Sequence, residues 1–249
     1  MKIDLVSPLH FIIIIPFVQG GVWIPGDHVG TAPDICTALA RAGRDKGVRV
    51  LENCRLNRVN TTLNDRDVPV VSSVDTSRGN IACEYFVNCG GIWSRELGKK
   101  SDPKVKVPLQ ACEHYYLVTK PIGIDPMLPV IRDPDGYVYV REWSGGLMVG
   151  GFEPVAKPVF LGVIPDKFEF ELLPNDWDHF HLLLEQMLHR LPCLANAEVK
   201  QLVNGPESFT PDGKYVLGES PEIINYFVAA GMHSTGITGE RGCNCVFFP

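Results

Sequence analysis

Histidine, tyrosine and arginine occur on two strand-like segments in the middle of the chain. His114 lies in one segment, 105–118, and Tyr139 and Arg141 lie in the other, 136–143. Because alternate residues of a strand share one face, each segment presents its polar side chains on one side. Arginine binds a carboxylate, aromatic rings surround an alkylated amine, and histidine exchanges a proton. The pattern predicts a pocket for a small amino acid, although a sheet with one face in water would have the same residues.

Two apolar segments lead directly into glycine. The first ends in Gly90-Gly91, and the second ends in Gly231, which Ser234 and Gly236 follow. Glycine after a buried strand lets the main chain approach a ligand at the carboxyl edge of a sheet. A tight strand-to-helix turn that serves packing alone is the alternative at Gly90-Gly91. A hydrolase nucleophile at Ser234 is disfavoured, because the spacing Gly-x-x-Ser-x-Gly is one residue longer than a nucleophile elbow.

Composition restricts the class of protein. The chain has 249 residues, of which 45% are hydrophobic and 21% charged, and its formal net charge is −6. These values are typical of a folded globular protein. The charges form no basic stripe of the kind that binds nucleic acid, so we expect a small-molecule or protein ligand. No apolar run reaches the roughly 20 residues of a membrane span, and no histidine or cysteine spacing predicts a metal site.

The elements that must position these residues follow from hydrophobic periodicity. Helices are predicted at 31–47 and 175–191. The segments 105–118, 136–143 and 146–152 are separated by turns without a helix, which favours an antiparallel sheet. Segment 81–89 is predicted to be one strand buried on both faces. Further strands are predicted at 48–51, 56–60, 68–74, 199–203 and 226–230. An antiparallel segment is thus inserted between two α/β parts.

Six segments resemble one family of proteins. These segments are Phe86-Val-Asn-Cys-Gly-Gly-Ile-Trp93, Val107-Pro-Leu-Gln-Ala-Cys-Glu-His-Tyr-Tyr116, Arg132-Asp-Pro-Asp135, Gly150-Gly-Phe-Glu153, Asp176-Trp-Asp178 and Gly205-Pro-Glu-Ser-Phe-Thr-Pro-Asp212. Through them the sequence, from about Gly21 to Thr238, is similar to the flavin-dependent dimethylglycine and sarcosine dehydrogenases, within the wider D-amino-acid-oxidase-like group.

The resemblance implies a fold and its boundaries. The fold is α/β, a partial FAD-binding (Rossmann-like) domain with an inserted antiparallel-sheet substrate cap. The FAD-binding domain is expected at 21–104 and again at 205–238, and the cap at 105–204. Residues 1–20, with an apolar run at 9–18 that would be a buried strand or foreign to the domain, and the tail 239–249 are expected to be atypical.

The resemblance also implies FAD as the cofactor and assigns residues to the site. A strand would contact the adenine, the first glycine turn would lie along the cofactor, and the second would approach the isoalloxazine, whose reduced form carries negative charge. The two turns are therefore expected to meet beside one cofactor ring. His114 and Tyr139 align with residues that flank the amine in related enzymes, and we add Arg141 as a carboxylate partner. The implied cofactor-binding residues are Leu56, Gly90, Gly91, Trp93, Pro211, Asp212, Gly231, Ser234, Gly236 and Ile237.

The implied function is that of an FAD-dependent amine dehydrogenase. It would act on the CH–NH group of an N-methylated amino acid, such as sarcosine or dimethylglycine, with hydride transfer to the flavin. The alternative is a non-catalytic regulatory relative, because Ala111-Cys-Glu-His114 is similar to the pyruvate dehydrogenase phosphatase regulatory subunits of this family. Such a relative would act on the phosphatase through protein–protein binding. Both functions imply the mitochondrial matrix.

Both ends of the chain depart from the family pattern. The first βαβ unit with its glycine-rich phosphate loop is not found, and residues 239–249 replace an expected glycine-rich segment. His233 stands where relatives commonly have asparagine. We therefore expect a fragment of a longer enzyme that is inactive by itself and binds FAD weakly or not at all.

Overall fold

The computed structural model describes residues 18–239 of the chain. The apolar run at 9–18 and the tail at 239–249 lie outside this range except for one residue each. Within it, no helix combines the length and the apolar character that crossing a membrane requires. The helices and strands are α1 (Ala32–Asp45), β1 (Leu56–Leu63), β2 (Pro69–Thr76), β3 (Gly79–Ala82), β4 (Phe86–Asn88), α2 (Ser94–Gly98), β5 (Gln110–Thr119), β6 (Ile131–Asp133), β7 (Val138–Trp143), β8 (Gly146–Gly151), α3 (Trp177–Arg190), β9 (Val199–Phe209), β10 (Val216–Glu219) and β11 (Tyr226–Ala230).

The chain divides into two compact units. Unit 1 comprises residues 18–29, Glu113–Lys157 and Glu169–Pro206. Unit 2 comprises Gly30–Cys112, Pro158–Phe168 and residues 207–239. The boundary falls inside β5 and inside β9, so each of these strands contributes residues to both units.

Unit 1 is built on a sheet with the strand order β6-β7-β8-β5-β9. The neighbours β6 and β7, β7 and β8, and β5 and β8 pair antiparallel, which confirms the predicted antiparallel sheet. Helix α3 packs against one face, where Tyr115 and Leu147 of the sheet join Phe180, Leu183 and Met187 of the helix in one core. All five are fully buried, and burial of each such side chain contributes roughly 1.5–3 kcal/mol.

Unit 2 contains two small sheets. Strands β1, β2 and β3 form an antiparallel sheet. In the second sheet β11 lies between β10, which it pairs antiparallel, and β4, which it pairs parallel. Their apolar side chains meet in a core that includes Val59, Val74, Ile223, Tyr226 and Val228.

Helix α1 is where the hydrophobic periodicity predicts it. It begins after Thr31, has Pro33 in its first turn, and is followed by Gly47 at φ 90°. The side chain of Thr31 makes no capping hydrogen bond. No residue of α1 is buried. Its apolar stripe therefore contributes little packing energy, and its order depends on local hydrogen bonds.

Three predictions of strands are wrong. Residues 48–51 form no strand, because no other segment among residues 18–239 pairs with them and a strand needs a neighbour for its main-chain groups. Segment 81–89 is not one strand buried on both faces. It divides into β3 and β4, which join different sheets, and all four residues of β3 are exposed. The strand predicted at 199–203 is too short, since β9 continues to Phe209, and the four-residue strand β10 follows where no strand is predicted.

Candidate functional site

The two glycine turns follow neighbouring parallel strands of unit 2. In this pair Val228 of β11 stands opposite Asn88 of β4. Gly231 comes directly after β11, and Gly90 comes two residues after β4. Both turns therefore lie at the carboxyl edge of the pair, which is where α/β sheets bind their ligands. The two turns thus lie at the same edge of one sheet, whereas their meeting beside a cofactor and their binding of it stay predictions.

Asn88 connects the first turn to the neighbouring strand. Its side chain is fully buried. The amide nitrogen donates to the carbonyl oxygen of Ser94 at 2.9 Å and to the phenol oxygen of Tyr226 at 3.2 Å. The amide oxygen accepts from the main-chain N–H of Gly90 at 3.2 Å. Asn88 was not among the residues predicted from the sequence, although an asparagine at the end of an apolar strand is a signal of such a network.

The two glycines of the first turn have different surroundings. A Cβ at Gly90 would overlap the side chain of Leu97, so Gly90 is required for packing within the turn. Gly91 has φ 54°, and a Cβ there would meet nothing within 4 Å. The main chain at Gly91 is therefore open to a ligand. Trp93 ends the single 3-10 turn Gly91–Trp93 and is 40% exposed.

The second turn is held in a left-handed conformation by two side chains of unit 2. His233 and Ser234 have φ values of 47° and 59°, which cost roughly 1–3 kcal/mol each outside glycine. Nε2 of His233 lies 2.7 Å from the hydroxyl of Thr210. Glu207 accepts hydrogen bonds from both the main-chain N–H and the hydroxyl of Ser234. These bonds offset the strain at the turn.

The surroundings of Ser234 also differ from those of a hydrolase nucleophile. Its hydroxyl donates to a carboxylate rather than to the imidazole of a general base. Gly236 and Ile237 follow as the start of a helical turn at 236–239.

A cleft of about 470 Å³ opens within unit 2. Arg95 and Gln110 contribute polar groups to it, with a guanidinium nitrogen 3.5 Å from the amide oxygen. Phe209, Thr210 and Pro211 form another part of the lining. Of these five residues, only Pro211 is predicted from the sequence. The other four could not be identified from the sequence, because each residue type is common in the kind of segment where it lies.

Asp212 and Leu56 also lie in unit 2. Asp212 is exposed in the turn between β9 and β10, where the main-chain N–H of Lys214 donates to its carboxylate at 3.1 Å. This bond, together with one from Thr210, lowers the pKa of Asp212. Leu56 begins β1, and its carbonyl oxygen accepts a hydrogen bond of 2.6 Å from Nζ of Lys100. An adenine that bonded to this carbonyl oxygen would share the oxygen with Lys100.

The residues predicted to bind an amine lie on one face of the unit 1 sheet. Tyr139 of β7 stands opposite Gly150 of β8, which in turn stands opposite Tyr116 of β5. His114 shares the face of Tyr116, and Arg141 shares the face of Tyr139, by strand alternation. This face is the one opposite α3. A Cβ at Gly150 would overlap the ring of Tyr139, so glycine lets that ring lie against the sheet.

Phe152 stands between the two predicted catalytic side chains. Its ring centroid is 5.1 Å from that of His114 and 6.2 Å from that of Tyr139. Phe152 belongs to one of the family segments, but no role is predicted for it from the sequence. Because it follows Gly150 by two residues, strand alternation would have placed it on the same face as Gly150.

Two arginines lie on this face, each beside an aromatic ring. The guanidinium of Arg132 lies 5.2 Å from the centroid of Phe152. That of Arg141 lies 4.7 Å from the centroid of Trp143, and its Nε is 3.4 Å from the sulfur of Met148. Arg132 stands opposite Tyr139 in the β6–β7 pair and is a second candidate for a carboxylate.

Comparisons with known proteins give one consistent result. The model of the family "FAD dependent oxidoreductase" (DAO) matches residues 6–242. The chain is 40% identical to the mitochondrial pyruvate dehydrogenase phosphatase regulatory subunit of Mus musculus, over 94% of this chain and 26% of that protein. It is 38% identical to the mitochondrial sarcosine dehydrogenase of Mus musculus, over 91% of this chain and 24% of that protein. The chain thus spans about a quarter of the length of these curated relatives.

A solved structure agrees with these relatives. The crystal structure of glycine oxidase from Geobacillus kaustophilus matches with a TM-score of 0.66 and 25% identity. The match covers 90% of this chain and 55% of that chain. The mixed α/β fold with its antiparallel sheet is thus similar to that of a known oxidase.

Proposed function

The chain belongs to the family of FAD-dependent oxidoreductases, as its resemblance indicated, and on this premise we propose that it takes part in the oxidation of an N-methylated amino acid. The site would act on the CH–NH group of a compound such as sarcosine or dimethylglycine. In this proposal the glycine turns of unit 2 contact FAD, and the polar face of unit 1 binds the amine. Each half of the proposal has support within its own unit.

We expect FAD to contact the first glycine turn of unit 2 and the residues that follow it. The main chain at Gly91 is open, at the carboxyl edge of a parallel pair. In the same turn the hydroxyl of Ser94 is buried and has no hydrogen-bond partner within residues 18–239. When bound, FAD supplies an acceptor for the hydride that leaves the N-methyl carbon. The chain's own residues would orient the cofactor and exclude water.

The observation that carries the amine half is the placement of Phe152. An aromatic ring with His114 on one side and Tyr139 on the other offers an apolar wall for an N-methyl group. His114 and Tyr139 are the two polar side chains beside this ring that would exchange the amine proton. Arg141, or Arg132 on the same face, would bind the substrate carboxylate.

The names of the relatives support a location and raise an alternative. Both of these relatives are mitochondrial, which supports the mitochondrion as the location of this protein, and we propose the matrix within it. One of them is a regulatory subunit of a phosphatase. The alternative function is therefore regulation of such a phosphatase through protein–protein binding. The polar face of unit 1, on which Tyr139 and Arg132 lie beside Phe152, supports the catalytic function.

Absorbance of FAD under anaerobic conditions tests the proposal. The longest expressed form of the protein is supplied with excess FAD and is then titrated with sarcosine or dimethylglycine, because the chain by itself is expected to be inactive and to bind FAD weakly or not at all. Bleaching of the flavin is expected, and proline, which has no N-methyl group, is the control. Bound FAD that no N-methylated amino acid bleaches would contradict catalysis and favour the regulatory function. Absence of FAD binding would contradict the proposed role of the glycine turns in this chain.

A further inference from the structure

His114 and Glu153 form a buried pair on the polar face of unit 1. Nδ1 of the imidazole lies 3.0 Å from Oε2 of the carboxylate. The side chains are only 11% and 3% exposed. The ring of Phe152, the residue before Glu153, packs against the imidazole. The pair is therefore fixed in position by its neighbours.

The second oxygen of the carboxylate is also engaged. Oε1 of Glu153 accepts a hydrogen bond of 3.2 Å from the main-chain N–H of Tyr115, the residue after His114. A main-chain N–H can only donate, so the group that faces it must be an acceptor. This bond fixes which oxygen of Glu153 faces the imidazole.

A carboxylate facing Nδ1 selects one form of the neutral ring. An ionised carboxylate only accepts hydrogen bonds, so the proton of the neutral imidazole of His114 must be on Nδ1. The lone pair is then on Nε2. We propose that Glu153 is a positioning residue that holds His114 in this tautomer, so that Nε2 accepts a proton from the substrate ammonium. This inference rests on the proposed function.

The proton transfer is balanced within the pair and the substrate. An N–H bond of the substrate ammonium, which is secondary in sarcosine and tertiary in dimethylglycine, breaks, and a new N–H bond forms at Nε2 of His114. The products are a neutral amine, whose nitrogen now carries a lone pair, and an imidazolium. Nδ1–H of that imidazolium still donates to Glu153, so the charge formed on the ring lies beside a carboxylate. No group other than substrate and His114 gains or loses an atom.

A second histidine–glutamate pair of unit 1 provides a control. Nε2 of His181 lies 3.1 Å from Oε1 of Glu185 on α3, but both side chains are 62% exposed. Water competes for an exposed pair, so it holds no fixed geometry. Substitution at Glu185 removes the same kind of contact without touching the polar face.

The experiment measures the tautomer directly by long-range ¹H–¹⁵N NMR of the histidine rings. In the unmodified chain the His114 signals, assigned with the variant His114→Asn, are expected to show Nδ1 protonated. In Glu153→Gln the amide oxygen must face the N–H of Tyr115, which leaves the amide NH₂ facing Nδ1. The ring is then expected to invert to the Nε2-protonated form. Glu153→Asp, which keeps two acceptor oxygens, should retain the Nδ1-protonated form, and Glu185→Gln should leave His114 unchanged.

Two outcomes would overturn the inference. One is an Nε2-protonated His114 in the unmodified chain, a result that requires no variant to fold. The other is a Glu153→Gln variant of unchanged circular dichroism that keeps Nδ1 protonated. Dimethylglycine is then added to the unmodified chain, where the Nε2 signal is expected to shift. If the tautomer is as expected but dimethylglycine shifts no His114 signal, the proposed function fails while the positioning by Glu153 stands.

Discussion

The amide nitrogen of Asn88, at the end of β4, donates a hydrogen bond of 3.2 Å to the phenol oxygen of Tyr226, at the start of β11. Both side chains are completely buried. This bond connects the two strands whose following turns carry Gly90 and Gly231. It therefore controls how these turns are placed at the edge of the sheet.

The first prediction concerns the stability that this network provides. Asn88→Ala removes three hydrogen bonds and leaves the main-chain N–H of Gly90 without its acceptor. The free energy of unfolding should fall by roughly 1–3 kcal/mol or more, because a buried unpaired group carries its full desolvation cost. Tyr226→Phe removes one bond and should cost about 0.5–1.5 kcal/mol. Urea denaturation measures both. Equal losses would contradict the central role of Asn88.

The second prediction concerns alkaline pH. Burial raises the pKa of Tyr226 to about 12, although the bond from Asn88 partly opposes this. A raised pKa means that the folded state favours the neutral phenol. Its contribution to stability is complete below the ordinary value of 10.0 and declines as pH rises from there to about 12.

Tyr226→Phe should therefore lose stability less steeply across this alkaline range than the unmodified chain. Urea denaturation at several pH values measures the slope. Tyr85→Phe, at a tyrosine that is 62% exposed, is the matched control and should keep the original slope. The same slope in Tyr226→Phe and in the unmodified chain would refute the prediction.

The third prediction concerns acid pH in unit 1. Burial alone would raise the pKa of Asp133, but the hydrogen bonds from Arg190, at 2.6 Å, and from the main chain of Gly136 outweigh it and lower the pKa. A lowered pKa gives stability that is complete above the ordinary value of 3.8 and is lost as pH falls through the folded value.

Asp133→Asn should therefore destabilise the protein at neutral pH by about 1.5–3 kcal/mol and flatten its stability below about pH 4. Thermal unfolding at several pH values measures this. Asp65→Asn, at an exposed aspartate in the β1–β2 turn, is the control and should change neither quantity. A loss of equal size at every pH would show that the charge of Asp133 is not the cause.

The fourth prediction tests the open main chain at Gly91. Gly91→Ala places a residue with a Cβ at φ 54°, which costs roughly 1–2 kcal/mol of strain. Gly123→Ala imposes similar strain at φ 80°, also in open space but in unit 1. Both variants should lose similar stability, whereas only Gly91→Ala should weaken FAD binding, measured by quenching of FAD fluorescence. Equal FAD affinities in the two variants would exclude Gly91 from the cofactor site.

The fifth prediction tests the placement of Tyr139. Gly150→Ala displaces the ring that now covers Gly150, so the affinity for dimethylglycine should fall by about tenfold, or 1.4 kcal/mol. Isothermal titration calorimetry measures the affinity. If the effect passes through Tyr139, the double variant Gly150→Ala/Tyr139→Ala should bind no more weakly than Tyr139→Ala alone. Additive losses would mean that Gly150 acts by another route.

Helices and strands whose apolar pattern is visible within the element itself were predictable from the sequence. α1, α3 and β11 lie within two residues of their predicted bounds, because their apolar spacing or uniform apolar run is visible locally. Pairing was not predictable. Residues 48–51 have the composition of a strand, but composition does not show whether a partner exists. The division of 81–89 into two strands likewise depends on which sheet each half joins.

The candidate site was predictable where a residue type is itself unusual. Glycine pairs after apolar strands, and histidine or arginine on a strand, are visible in a single sequence. Asn88, Phe152 and Glu153 were missed as individual residues, because their importance comes from contacts with partners elsewhere in the fold. Glu153 is an ordinary acidic residue until Nδ1 of His114 and the N–H of Tyr115 are seen on either side of its carboxylate.

The 138 residues that separate Asn88 from Tyr226 have a consequence for biosynthesis. β4 leaves the ribosome long before its only parallel neighbour in the described chain, and at ordinary elongation rates the delay is about 7–28 seconds. During this time its exposed edge is open to other strands in the cell. Newly made chains should therefore depend on chaperones until β11 is translated, and a stop codon anywhere between these strands should give an aggregating product.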